Sequence, residues 1–216
     1  MFKLFNKIQF SSQSNRMRTI ADTKIAREIY NSSKSKNLKF LLNERFNWMN
    51  RYINENDVGI EVGSGAGFAK DYIKNKNLKL TDKRNDDHLD YKNIDAQDTK
   101  FSNESFNYVI ASNMIHHVPY PIKFFREMNR ILKRGGKLII FDSYCSITFQ
   151  IVTAIMKHEG FDFTINVWDE KDPKSNEDDV WDGNIAITNL IFDDKKKFNK
   201  KLGNLFDIEY EKFTEC

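Results

Sequence analysis

Hydrophobic and polar residues follow two different patterns along the chain, and the pattern changes near residue 57. Before that point, apolar residues recur at the spacing of one helical face over residues 37–53. These residues are Leu38, Leu41, Leu42, Phe46, Met49 and Ile53. A second helical pattern covers residues 20–31, and residues 11–20 are polar. The sequence therefore predicts an N-terminal helical extension over residues 1–54, followed by a domain over residues 55–216.

Beyond residue 57, short apolar runs alternate with helical patterns. The runs with the character of buried strands are 57–62, 78–81, 92–95, 106–112 and 137–142. Helical patterns lie at 67–75, 121–133 and 146–158. Strands that alternate with helices in this way predict an α/β fold with a mostly parallel sheet and helices on both faces.

Charge is distributed unevenly along the 216 residues, of which 40% are hydrophobic and 30% are charged. Residues 1–51 carry a net charge of +8 and the remainder carries −5, which gives +3 in total. A basic N-terminal part could face an anionic substrate, a membrane surface or RNA, but a solvated helical face is the simpler interpretation. Nucleic acid is therefore not a favoured partner.

The two cysteines, Cys145 and Cys216, have neither the spacing of a metal site nor that of a disulfide framework. We assign no metal ligand from the sequence and expect a reducing, cytoplasmic location. The N-terminus lacks the apolar core of a signal peptide, and no run has the roughly 18 apolar residues of a membrane span. The chain ends inside a strand-like pattern, which favours C-terminal truncation of a longer protein.

Residues 59–73, GIEVGSGAGFAKDYI, place three glycines directly after the first predicted strand. Gly63, Gly65 and Gly67 let a ligand approach the backbone, and the following helix offers free N–H groups. Phe68 stands where a dinucleotide-binding G-x-G-x-x-G motif needs its third glycine, which disfavours a dinucleotide oxidoreductase. The turn therefore predicts a nucleotide-like ligand of another class.

Acidic residues lie at the ends of three successive predicted strands. Glu61 precedes the glycines, Asp82 ends the second strand and Asp95 ends the third. The carboxyl ends of parallel strands form the ligand-binding edge of an open α/β sheet, so these carboxylates are predicted to meet there. A carboxylate in the position of Asp82 can accept both hydroxyls of a ribose.

These blocks together resemble the class I S-adenosylmethionine-dependent methyltransferases. The similarity rests on IEVGSGAG (60–67), LTD (80–82), NIDAQDTKF (93–101), FNYVIASNMIHHV (106–118) and RILKRGGKLII (130–140). It implies a Rossmann-like methyltransferase fold with a seven-stranded sheet whose last strand is antiparallel. Residues 185–192 and 206–213 would be strands six and seven, with a Lys-rich helix at 194–202 between them.

The resemblance also implies roles in binding S-adenosyl-L-methionine. The glycines would pack against its methionine part, Glu61 would lie near its ammonium group, and Asp82 would hold its ribose. Asp95 and Ala96 would contact the adenine, and Asn113 would line the cofactor near its methyl group. The implied cofactor-binding residues are Glu61, Gly63, Ser64, Gly65, Gly67, Asp82, Asp95, Ala96 and Asn113.

Two histidines, His116 and His117, follow the fourth predicted strand. Methyl transfer to a hydroxyl benefits from a general base, and histidine is suited to that role near neutral pH. A framework role, in packing or hydrogen bonding, is the simpler alternative for both residues. His88 and His158 are predicted to be surface residues.

The favoured function is methyl transfer to a small-molecule acceptor, such as a hydroxyl of a sugar or another metabolite. Methylation of RNA or protein and a non-catalytic module that only binds partners are the alternatives. The run N-M-I-H-H replaces the N-P-P-Y-like run of enzymes that methylate base amino groups. The acidic segment 168–183, between Trp168 and Trp181, is predicted to be either a substrate lid or a flexible connection.

Overall fold

A computed structural model describes residues 3–10, 23–33, 35–157, 159–179 and 181–212. Within these ranges the chain divides into two compact units. The sheet unit comprises residues 23–112 and 127–141, and the histidine unit comprises residues 3–10, 113–126 and 142–212 with the gaps given above. The predictions for residues 11–20, His158 and Cys216 fall outside the described residues.

The elements alternate between strands and helices through the middle of the chain. In chain order they are β1 (Lys7–Ile8), α1 (Thr23–Asn31), α2 (Lys36–Phe46), a 3-10 helix (Asn47–Tyr52), β2 (Gly59–Val62), α3 (Ala69–Tyr72), β3 (Leu78–Thr81), β4 (Phe106–Ser112), a 3-10 helix (Ile115–His117), α4 (Pro121–Ile131), β5 (Leu132–Phe141), α5 (Ile147–Met156), β6 (Phe161–Asp162), α6 (Ala186–Phe192) and α7 (Lys195–Leu202).

Four parallel strands form the sheet of the sheet unit, in the order β3-β2-β4-β5. In this register Ile60 of β2 lies opposite Lys79 of β3 and Val109 of β4. Every residue of β2 is buried, as expected for a central strand that is covered on both faces. The predicted α/β fold with a parallel sheet is therefore confirmed.

A hydrophobic cluster covers one face of this sheet. It joins α2, the first 3-10 helix and α3 to side chains of β3, β4 and β5. Its buried members are Leu42, Phe46, Met49, Ala69, Ile73, Leu78, Leu80, Leu89, Tyr108, Ile110 and Ile139. The apolar stripe that predicted a helix over residues 37–53 thus packs on the sheet, although the last part of that stretch is a 3-10 helix.

Several predicted elements differ in the structure; the strand predicted at 137–142 begins already at Leu132, where the helix predicted over 121–133 has ended. Residues 92–95 form no strand, because the backbone at Asn93 turns with φ 56°, although Ile94 N still donates to Asp82 O over 2.9 Å. The helix predicted over 67–75 is confined to α3, because Ile73 has an extended backbone. Strands 78–81 and 106–112 are confirmed to the residue.

The histidine unit contains a two-stranded antiparallel sheet of β1 and β6, in which Lys7 lies opposite Asp162. Their side chains form an ion pair of 2.7 Å. Helix α5 begins at Ser146, whose hydroxyl accepts a hydrogen bond from Phe149 N. The helices predicted over 146–158 and 194–202 are confirmed as α5 and α7.

The two strands predicted at the C-terminal end are wrong. Residues 186–192 form helix α6, and residues 206–212 contain no strand. Helix α6 is buried nearly all round, so its apolar run has no period that separates a helix from a strand. In the described part of the chain, the sheets therefore have four and two strands, and the seven-stranded sheet is not observed. The domain division at residue 54 stays a prediction.

No helix within the described ranges combines the length and the apolar character that a membrane span needs.

Candidate functional site

Residues 63–67, the glycine turn, join β2 to the residues before α3. Gly63, Gly65 and Gly67 have φ values of 65°, 51° and 70°, in the left-handed region that favours glycine. A Cβ at Gly67 would lie 2.8 Å from Leu80 Cδ1, whereas a Cβ at Gly65 would meet nothing within 4 Å. Gly67 therefore packs against the protein, and Gly65 faces open space.

Ser64 ties the glycine turn to the neighbouring strand. Its N–H donates to Thr81 O over 2.9 Å, and its hydroxyl oxygen accepts from Thr81 N over 3.1 Å. The same hydroxyl donates to Glu61 O over 3.0 Å. These bonds hold the turn at the carboxyl ends of β2 and β3, which is where the sequence predicted the ligand edge.

Asp82 reaches the glycine turn directly. Its Oδ2 accepts a hydrogen bond from Gly65 N over 2.9 Å, and its Oδ1 accepts one from Arg84 N over 3.0 Å. Asp95 lies in a half-buried turn where its Oδ1 accepts from Gln97 N over 2.8 Å, and Ala96 belongs to the same turn. The structure thus brings Asp82 to the glycines, while Asp95 and Ala96 lie further along the same connection between β3 and β4.

Glu61 is a buried acidic residue next to the glycine turn. Only 2% of it is exposed, and its Oε2 has no hydrogen-bond partner among the described residues. Burial raises the pKa of Glu61 to about 8, although Ser64, Arg45 and Arg27 act in the opposite direction. A buried acceptor without a donor is costly, so the position suits a ligand that brings a positive charge or a donor group.

Two further residues that hold the glycine turn are absent from the sequence-based set. Arg27 of α1 donates from Nε to Ala66 O and from Nη2 to Gly67 O, both over 2.7 Å. His88 Nε2 lies 2.7 Å from Gly65 O, so the prediction of a plain surface residue misses its contact. A basic residue on an N-terminal helix and an isolated histidine carry no pattern in the sequence that marks them as neighbours of the turn.

In the histidine unit, His116, His117, Asp142 and Glu159 form the histidine cluster. His116 Nδ1 is hydrogen-bonded to Asp142 Oδ1, and His116 Nε2 lies 3.0 Å from Glu159 Oε2. His117 Nε2 lies 3.3 Å from Glu159 Oε1, and His117 Nδ1 lies 3.1 Å from Asp182 O. Both rings therefore direct Nε2 towards the same carboxylate.

Asp142 is held in place from several sides. Its carboxylate accepts hydrogen bonds from Ile115 N over 2.8 Å and from Ser143 N over 2.7 Å, in addition to that from His116. Burial would raise the pKa of Asp142, but the charge of His116 and these hydrogen bonds hold it below its ordinary value. The carboxylate is therefore ionised at neutral pH.

The charge state of His116 follows from its two carboxylates. Burial alone would lower the pKa of His116, but Asp142 and Glu159 outweigh it and raise the pKa to about 10. Burial would raise the pKa of Glu159, but hydrogen bonds and charges from both histidines hold it well below its ordinary range. A buried imidazolium between two carboxylates is a poor general base, which favours the framework role for His116.

The predicted site residues are thus divided between the units. Asn113, with a left-handed φ of 51°, belongs to the histidine unit together with His116 and His117. Asp142 and Glu159 are absent from the sequence-based set. Asp142 follows β5 directly, so it also lies at the carboxyl end of a parallel strand, which is the position that marked Asp82. Glu159 does not follow a strand of this sheet.

A cavity of 290 Å³ lies within the histidine unit, and its polar lining includes Asp162, Lys174 and Asp182. Gly183 also lines it and packs against the cluster, since a Cβ there would lie 2.9 Å from His117 Nδ1. Its volume is at the small end of the range for ligand pockets. The cavity therefore suits a small polar molecule.

The acidic segment 168–183 contacts the backbone around His117. Ser175 Oγ donates to His117 O over 2.7 Å, and Lys174 N donates to Pro119 O over 2.8 Å. Trp168 is buried. The described part of this segment therefore packs against the histidine unit, and its role as a substrate loop stays a prediction.

The central part of the chain is similar to a known protein family. Residues 60–140 match the family described as methyltransferase domain. The MJ1123 protein of Methanocaldococcus jannaschii is 32% identical over 90 residues, which cover 38% of this chain and 42% of that protein. Phosphoethanolamine N-methyltransferase 2 of Caenorhabditis elegans is 29% identical over 97 residues, which cover 39% of this chain and 22% of that protein. Each match spans less than half of the curated relative.

Solved structures also resemble parts of the chain. One is phosphoethanolamine N-methyltransferase 2 of Haemonchus contortus in complex with S-adenosyl-L-methionine, with a TM-score of 0.40 and 18% identity. That match covers 72% of this chain and 40% of the other. The PH0226 protein of Pyrococcus horikoshii gives a TM-score of 0.42 at 20% identity, over 52% of this chain and 60% of the other.

Proposed function

We propose that this chain, whose residues 60–140 match the family described as methyltransferase domain, binds S-adenosyl-L-methionine and transfers its methyl group to a small-molecule acceptor. The observation that carries the proposal is the buried Glu61 below the glycine turn, with one carboxylate oxygen that lacks a partner among the described residues.

The residues of the sheet unit fit this cofactor. The space above Gly65 is free of protein atoms within 4 Å of a Cβ, so the turn leaves room for a ligand against the backbone. The ammonium group of the cofactor would supply a positively charged donor to the carboxylate oxygen of Glu61 that lacks a partner among the described residues. Asp82 keeps acceptor capacity for ribose hydroxyls beside its bonds to Gly65 N and Arg84 N. Asp95, Ala96 and Asn113 stay predicted contacts.

The cofactor supplies a sulfonium methyl group that is already reactive, so the protein mainly has to bind, orient and exclude water. The left-handed glycines and Ser64 fix the turn, and Arg27 holds it through the carbonyls of Ala66 and Gly67. The base roles of His116 and His117 for a hydroxyl acceptor stay predictions; His116 is buried between two carboxylates, and His117 is partly exposed.

We propose a metabolite as the acceptor. A hydroxyl of a sugar or a similar compound is the first candidate. An amine is the second candidate, which the similarity to the phosphoethanolamine N-methyltransferase of C. elegans favours. Transfer of labelled methyl to phosphoethanolamine, measured beside sugar acceptors, distinguishes the two.

Calorimetric titration of the full chain with S-adenosylhomocysteine tests the binding site. Asp82→Ala removes the carboxylate that is bonded to Gly65 N, and we expect affinity to fall by roughly 2 to 4 kcal/mol, the scale of two charge-assisted hydrogen bonds. The matched control is Asp87→Ala, which removes a fully exposed carboxylate of the loop after β3. We expect its affinity to equal that of the wild type.

Equal affinities for all three proteins would exclude the ribose role of Asp82. Circular dichroism of each variant shows whether the fold is kept, so that a lost affinity is assigned to the site.

A further inference from the structure

The histidine cluster has features that a methyl-transfer site does not require. Two imidazoles direct Nε2 towards the two oxygens of one carboxylate, Glu159. The three side chains offer ligand atoms that all lie within 4.8 Å of one another. We propose that His116, His117 and Glu159 form a binding site for a divalent transition-metal ion of the Zn²⁺ class.

The distances between the ligand atoms fit such an ion. Zn²⁺ binds imidazole nitrogen and carboxylate oxygen at about 2.0 to 2.2 Å in a tetrahedron, whose edges are then about 3.3 Å. The two distances between Nε2 atoms and Glu159 oxygens are 3.0 and 3.3 Å. Each nitrogen faces a different oxygen of Glu159, and one ligand atom of each residue lies within 4.8 Å of the other two, so small side-chain movements bring all three onto one ion.

The outer hydrogen bonds match those of protein metal sites. A metal-binding histidine usually donates its other ring N–H to a carboxylate or a backbone carbonyl, which fixes the ring. His116 Nδ1 is bonded to Asp142, and His117 Nδ1 lies 3.1 Å from Asp182 O. Both rings thus have Nδ1 engaged, which leaves Nε2 as the ligand atom of each.

The charge of the cluster also favours a cation. Asp142 and Glu159 bring two carboxylates into the interior, where their side chains are 0% and 6% exposed. Buried carboxylates need a compensating positive charge. A protonated His116 balances one of these charges, and a divalent ion that takes the place of its Nε2 proton would balance both.

The site has room for a further ligand. The side chain of His117 is 19% exposed, whereas that of His116 is 3% exposed, so the cluster opens to solvent on the side of His117. Imidazole and carboxylate together suit zinc and similar first-row ions. Three protein ligands leave the fourth position for water or for an oxygen or nitrogen of a bound small molecule.

The sequence gives little sign of this site, because His117 and Glu159 are 42 positions apart and the cysteines have no metal-ligand spacing. The histidine cluster and the glycine turn also belong to different units. The metal proposal therefore does not depend on cofactor binding.

Metal binding to the full chain tests the proposal. Protein treated with a chelator and dialysed is titrated with Zn²⁺, and Co²⁺ is used as a spectroscopic probe of tetrahedral coordination. We expect one ion per chain, with the visible absorption of tetrahedral Co²⁺. His117→Ala should lower the affinity at least 100-fold, and Asp142→Asn should lower it 10- to 100-fold through the orientation of His116.

Two controls keep the result unambiguous. Asp172→Ala changes an exposed carboxylate of the same unit and should leave the affinity and the Co²⁺ spectrum unchanged. Circular dichroism of His117→Ala, whose ring is partly exposed, shows that a lost affinity does not reflect an unfolded chain. Absence of binding in the wild type, or binding that His117→Ala does not alter, would overturn the proposal.

Discussion

The glycine turn and the histidine cluster differ in how their residues are joined along the chain. The turn is one continuous stretch, residues 63–67, and it is completed by Glu61 just before it and Asp82 at the end of the next strand. The cluster combines residues 116 and 117 with Asp142 and Glu159, which come from separate elements. A local site leaves a readable pattern in the sequence, whereas a dispersed site becomes visible only in the fold.

The two regions also satisfy their buried charges differently. Glu61 has an oxygen without a partner in the described residues, so it stays protonated up to about pH 8. In the histidine cluster each carboxylate has several partners, and both are ionised. The carboxyl group of Glu61 beside the glycine turn therefore suits a cationic ligand, whereas the two carboxylates of the histidine cluster are already ionised.

The largest expected effect concerns the pH dependence that Glu61 gives to stability. Its folded pKa is raised from 4.5 to about 8, so its contribution is fully present below pH 4.5 and is lost as the pH rises towards 8. We expect wild-type stability to fall relative to Glu61→Gln across this window, by an amount on the order of a few kcal/mol. Urea unfolding at a series of pH values measures the difference.

Parallel pH profiles for the wild type and Glu61→Gln would show that Glu61 is ionised in the folded chain. The contrast with the histidine cluster would then disappear.

We expect a smaller effect on stability when one carboxylate is removed from the ion pairs of the histidine cluster. Asp142→Ala leaves His116 with one buried carboxylate partner and removes the acceptor for Ile115 N. Breaking a buried ion pair in this way should lower the free energy of unfolding by about 3 kcal/mol. Denaturant unfolding with a chelator present measures it without a contribution from bound metal.

Asp172→Ala is the matched control, because Asp172 is exposed in the same unit. It should change the free energy of unfolding by less than about 0.5 kcal/mol. Equal values for Asp142→Ala and Asp172→Ala would mean that the network contributes nothing to stability.

The sequence predicts the fold best where the period of apolar residues is clear. Strands β3 and β4 and the helix α7 follow directly from such patterns. The sequence of helix α6 predicts a strand, because most of its residues are buried and burial removes the polar face that reveals a helix.

The same reasoning applies to the candidate sites. Glu61, the three glycines and Asp82 are predictable because a strand end and a turn impose their order. Arg27 and His88 are not, since their contacts depend on how α1 and the loop after β3 fold back onto the turn. Glu159 follows α5 in a part of the chain with no motif.

The smallest change in stability gives a sensitive test of the cofactor site. Gly65 and Gly135 have φ values of 51° and 74°, and a Cβ at either meets nothing within 4 Å. Gly65→Ala and Gly135→Ala should therefore each cost about 1 to 2 kcal/mol through backbone strain alone. Only Gly65→Ala places a methyl group in the space that we assign to S-adenosyl-L-methionine.

Titration of the wild type and these two variants with S-adenosylhomocysteine compares the two positions under equal strain. We expect the wild type and Gly135→Ala to bind with the same affinity, and Gly65→Ala to bind at least tenfold more weakly. If the folded wild type releases no binding heat, or if all three proteins bind equally, the glycine turn does not hold the cofactor.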